Sequence, residues 1–273
     1  MTLLDDPLIQ SSLVPMTVTL LLAVVLGRLW PRSAGLAVIA GFYVAAALIH
    51  GLTLTPLTST RKILLLGLLA VVLALAREFL GRSSATQRNV VIGLIIAGLL
   101  WMLWPALSYR PLAEAVTLAV GLTFYIVWLL IALDALADQP MPAGIAVMML
   151  GSAAGIASVL AATALLGQLI SALAAAAGVF VVLTLLLPKL RAGPLLMLPA
   201  AVLLGLLSAA ALVYAKLPAS SLLFLATIPA LIRIPLPANL TAAVRAAMLV
   251  LLLLPAAGMA IYSAWHSAGD LPY

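Results

Sequence analysis

Long apolar runs separated by short polar breaks occupy almost the whole chain. They fall near 12–30, 34–55, 62–80, 89–107, 111–134, 143–165, 169–187, 194–215, 219–234 and 241–263. Most approach the ~20 apolar residues that one helix needs to cross the hydrocarbon core. Apolar and polar positions do not alternate with a period of two, which argues against a transmembrane barrel. The pattern predicts an all-α, polytopic transmembrane helical bundle of about ten spans. Between Pro142 and Leu187 there is no charged residue. That length is about twice one crossing, so the chain must fold back within it. Gly167-Gln168 is the polar interruption near its middle and predicts the turn there. The run 219–234 is the least secure, which leaves nine spans as the alternative.

The polar breaks leave no room for a soluble domain. The longest, 81–89, is only a loop, so a single integral-membrane domain over 1–273 is expected. Composition agrees: 66% of residues are hydrophobic and 7% charged, where a soluble domain carries about 25% charged residues.

The 13 Lys and Arg against 7 Asp and Glu give a formal charge of +6. In a membrane chain this excess belongs to short cytoplasmic loops, so membrane lipids, not nucleic acid, are the expected neighbours. With the N-terminus outside, Arg28, Arg32, Arg77, Arg82, Arg88, Lys189, Arg191, Arg233 and Arg245 fall on the cytoplasmic side. Arg61, Lys62, Arg110 and Lys216 then fall outside, and with ten spans both termini are extracytoplasmic. No basic residue precedes Arg28, so the positive region of a secretory signal is missing and the first run reads as a retained span. Arginine exceeds lysine and alanine is abundant, which suggests a GC-rich bacterial genome and a bacterial cytoplasmic membrane.

Few polar groups interrupt the spans, and each has a functional and a structural reading. Arg233 lies in Ile228-Pro229-Ala230-Leu231-Ile232-Arg233-Ile234-Pro235-Leu236-Pro237, where prolines deprive backbone carbonyls of helical donors. It reads either as a cation facing an anionic ligand beside a broken helix or as an interfacial residue reaching to headgroups. Glu114 follows Pro111 at the start of a helix. There it either complements the positive helix end beside Arg110 or forms a proton or cation site. Tyr125 and Trp128, on the same span, line a pathway or pack against a neighbour. His50 is a hydrogen-bonded interhelical residue or a metal ligand. With His266 as the only other histidine, no metal site is predicted.

Asp134 and Asp138 have the spacing that puts two carboxylates on one helix face. Membrane prenyl-transfer enzymes use such pairs together with a second acidic motif, which this chain lacks, and a solvated helix end is the simpler reading. Glu78 and Arg82 have the i, i+4 spacing of a surface ion pair. Gly151 and Gly155 form G-x-x-x-G, and Gly144 and Ser158 extend the small face. This face serves either internal packing or contact with another protomer or membrane-complex partner. The 172–178 stretch offers a similarly smooth surface, so the two helices are expected to form a tight hairpin.

The chain has no cysteine, which removes disulfides, thiolate metal sites and iron–sulfur clusters. It also lacks H-E-x-x-H, G-x-S-x-G and Walker A sequences. No cofactor is predicted and catalysis is not favoured. The leading expectation is a permease or channel-like carrier of a small solute or lipid-like molecule, with Arg233, Glu114, Tyr125 and His50 as candidate substrate contacts. The alternatives are a non-catalytic subunit or scaffold of a larger membrane complex and, third, a membrane-embedded enzyme on a lipid or isoprenoid substrate.

Overall fold

The computed structural model describes residues 6–7, 9–51, 55–80, 85–161, 163–237 and 239–269. Among these there is no strand. Ten helices form: α1 (Val14–Leu29), α2 (Leu36–His50), α3 (Ser59–Leu80), α4 (Ala85–Leu107), α5 (Leu112–Asp134), α6 (Pro140–Leu160), α7 (Ala164–Leu186), α8 (Gly193–Tyr214), α9 (Ala219–Leu231) and α10 (Ala242–Gly269). A π-helical turn, Ile9–Leu13, leads into α1.

The protein is an all-α membrane bundle with one helix in each apolar run, but with fewer crossings than the ten expected. Among the described residues, seven helices are long and apolar enough to cross a membrane: α1 with its π turn, α4, α5, α6, α7, α8 and α10. Helices α2 and α9 have 15 and 13 residues. They rise only about 23 and 20 Å, short of a core about 30 Å thick. Helix α3 has 22 residues but carries Arg61, Lys62, Arg77 and Glu78.

The core is built around α8, which is buried without a break from Leu195 to Ala211. It packs against α3, α5, α6, α2 and α7. Its residues are apolar apart from Ser208 and Tyr214, so packing, with few interhelical hydrogen bonds, holds the centre. Close approach depends on small residues. A Cβ on Gly205 would meet Ile126 of α5 at 3.0 Å, and one on Gly35 would run into the Ala192 carbonyl and lie 2.8 Å from Leu196 Cβ.

Helices α6 and α7 form the tight hairpin, but its turn differs from the expected one. The chain reverses near Ala161, and the Thr163 hydroxyl, just before α7, donates back to the Ser158 carbonyl of α6 at 3.2 Å. Gly167 and Gln168 are already in the first turns of α7. The glycine serves packing instead, because its missing Cβ leaves room for Val159 and for the Gly155 carbonyl at 3.0 Å. On α6, a Cβ at Gly151 would sit 2.9 Å from Ala174 Cβ, and one at Gly155 would sit 2.5 Å from Ser171 Oγ. Of the two readings of the small-residue face, Gly151 and Gly155 here serve internal packing. Both are buried and their face is filled by α7 of the same chain.

Contacts also assign the charged residues to ends of the bundle. Arg191 N–H donates to Pro31 O at 3.3 Å and Gly193 N–H to Ala137 O at 3.0 Å, which gathers the loops after α1, α5 and α7. Arg28, Arg32, Lys189, Arg191 and Arg233 therefore lie at the same end as Arg77 and Asp134. At the opposite end Ser59, Lys62, Trp101 and Tyr214 are joined by hydrogen bonds. Trp104 and Tyr109 are exposed there, as interfacial aromatics are.

Candidate functional site: a lateral cleft at the arginine-rich end

The site begins with the uneven seating of α4. Its inward stripe runs through Arg88, Val91, Ile92, Ile95, Leu99, Met102 and Leu103, positions three or four apart on one helical face. Ile95, Leu99, Met102 and Leu103 are fully buried, whereas Val91 and Ile92 are half-buried and Arg88 is exposed. The helix is fastened where it is buried. Lys62 Nζ donates to Trp101 O at 3.1 Å and stands 4.8 Å from the Trp101 ring centroid. Tyr214 Oη donates to Met102 O at 3.2 Å. Helix α4 is thus pinned at one end and parts from the bundle toward the other.

The space left is a cleft of about 270 Å³. Its walls are apolar: Leu73 and Ala76 of α3, Val90, Val91 and Ile92 of α4, Leu130 and Ile131 of α5, and Leu198 of α8. Its rim is polar, with Thr86, Gln87 and Arg88 of α4 facing Arg77 and Asp134. Arg77 Nη1 and Nη2 donate to Asp134 Oδ1 and Oδ2 at 2.7 and 2.9 Å, a bidentate pair about three-quarters buried. Charge-assisted and two-pronged, it is a strong tie between α3 and α5. None of the described residues pairs with Arg88.

The four candidate contacts are not brought together. Arg233 is exposed just beyond α9, and its Nη2 donates to Ala132 O at 2.6 Å. It thereby satisfies one of the last carbonyls of α5 and complements that helix's negative end. Glu114 is exposed in the first turn of α5, at the opposite end. His50 is the last residue of α2, its Nε2 buried without a hydrogen-bond partner among the described residues. Tyr125 is buried between α5 and α8, where Ser208 is its polar neighbour. Trp128 Nε1 donates to Ala226 O at 2.8 Å, tying α5 to α9.

The acidic pair also dissolves. Helix α5 ends at Asp134, whose carboxylate is held by Arg77, and Asp138 stands exposed in the turn beyond. They do not share a helix face. The described residues hold no cluster of three metal-ligating side chains. Arg82, the expected partner of Glu78, lies outside the described residues.

The pairing of Arg77 with Asp134 was missed in the sequence. A signal was available: opposite charges close two spans that end on the same side. The chain matches no protein family and no curated protein.

Proposed function

We propose that the protein is a membrane carrier of a lipid-like amphiphile, which enters sideways into the cleft beside α4 and does not cross through the middle of the bundle. The observation that carries this reading is the cleft itself, apolar along its length and charged at one lip, as a molecule with a tail and a headgroup requires. A water-soluble solute fits less well, because α8 fills the centre with leucine and alanine. The arginine-rich end is the cytoplasmic one by the bias of basic residues. The membrane of this reading is a bacterial inner membrane.

In liposomes, the purified chain is expected to speed the transbilayer movement of a fluorescent short-chain phospholipid. A rate equal to that of empty liposomes would remove the carrier. The cysteine-free chain also permits a topology test without background. A maleimide that cannot cross membranes should label Ser108→Cys in intact cells, and Lys189→Cys only after permeabilisation. The reverse pattern would invert the orientation.

A second reading, a non-catalytic subunit of a larger membrane assembly, draws on the solid packing around α8. It requires a stoichiometric partner in mild detergent and a chain that moves no lipid when alone.

A further inference from the structure

An acyl chain gains little by leaving bulk lipid for a protein cleft, since both are hydrocarbon. Selectivity in the cleft beside α4 must then come from fit and from the headgroup. The rim carries two guanidinium groups and one carboxylate. Arg77 commits both terminal nitrogens to Asp134, whereas Arg88 faces the cleft with no carboxylate partner among the described residues. The rim therefore offers one uncommitted positive charge. Asp134 cannot leave without stranding a largely buried guanidinium, which is costly.

Building on the lipid-carrier reading, we infer that the cleft selects a lipid with a singly charged phosphodiester headgroup, with Arg88 as its anion contact. Asp134 sets this choice by neutralising Arg77. A choline headgroup brings an ammonium to a rim that is already net positive, so it is disfavoured. A phosphomonoester carries up to two negative charges at neutral pH and leaves part of that charge unmatched. Removing the Asp134 charge frees Arg77 and presents two guanidinium groups on one rim, the arrangement suited to the monoester.

The test is native mass spectrometry of the full chain released from nanodiscs containing equal phosphatidylglycerol, phosphatidylcholine and phosphatidic acid. The wild type should retain phosphatidylglycerol above the other two. Arg88→Gln should lower that retention about tenfold, the scale of one charge-assisted hydrogen bond. Asp134→Asn should raise phosphatidic acid over phosphatidylglycerol by a similar factor. If Asp134→Asn proves unstable, the double variant Arg77→Gln with Asp134→Asn removes both charges of the pair together, leaves the rim's net charge unchanged and should restore the wild-type order.

Wild-type retention in Arg88→Gln, or a lipid order in the double variant unlike that of the wild type, overturns the inference. So does displacement of phosphatidylglycerol by inorganic phosphate at matched ionic strength, which would make the free anion the ligand. Equal retention of all three lipids overturns the headgroup choice and leaves the carrier reading standing. Retention of none removes both.

Discussion

Gly35→Leu is expected to destabilise the bundle by about 3 kcal/mol or more, at or above the upper end of ordinary overpacking. Gly35 stands at the start of α2, against the start of α8. Any Cβ there collides with the Ala192 carbonyl and comes within 2.8 Å of Leu196 Cβ. The obstacle is backbone, and it has little freedom to retreat. Arg191 and Gly193, on either side of Ala192, donate their N–H groups to Pro31 O and Ala137 O. Shifting α8 would also disturb α3 and α5, which pack on it. Thermal unfolding in detergent should show a large drop in midpoint and a loss of monodisperse protein. Gly258→Leu is the control: Gly258 is exposed on α10 and nothing lies within 4 Å of its would-be Cβ. Equal stability of the two variants would contradict the close packing of α2 on α8.

The largest effect on binding is expected from Ala76→Trp. Ala76 lines the cleft from α3 and is exposed, so an indole there occupies the space without pressing on the core. A chain forced into a filled site meets about 1–3 kcal/mol of overpacking, tenfold or more in occupancy. Lipid retention should fall by that factor while thermal stability stays near wild type. Val120→Trp places the same side chain on an exposed face of α5, outside the cleft, and should retain lipid normally. Equal retention by the two variants would detach lipid binding from the cleft.

The helices were legible because a membrane imposes a length and a solvent on each apolar run. The least secure run, 219–234, contains the 13-residue α9. Tertiary choices were less legible. Gly167 looked like a turn residue, and only the approach of α6 gives it a packing role. Arg233 stood out among prolines, but the carbonyl it serves is 101 residues away. Arg77 and Asp134 are 57 residues apart, and their pairing depends on which span ends lie together. The cleft leaves the faintest trace. The inward stripe of α4 is apolar from Val91 to Leu103, and it opens because fastening occurs at the Trp101–Met102 end.

The central claim is that a lipid-like molecule occupies the space between α3, α4 and α5 at the arginine-rich end. Photocrosslinking with a diazirine-bearing phospholipid, followed by peptide mapping, tests it most directly. Adducts should concentrate on Leu73, Ala76, Val90–Ile92 and Leu130–Ile131, and Ala76→Trp should lower them about tenfold or more. Adducts spread evenly over exposed faces such as Val116, Val120 and Phe124, and unchanged by Ala76→Trp, would contradict it.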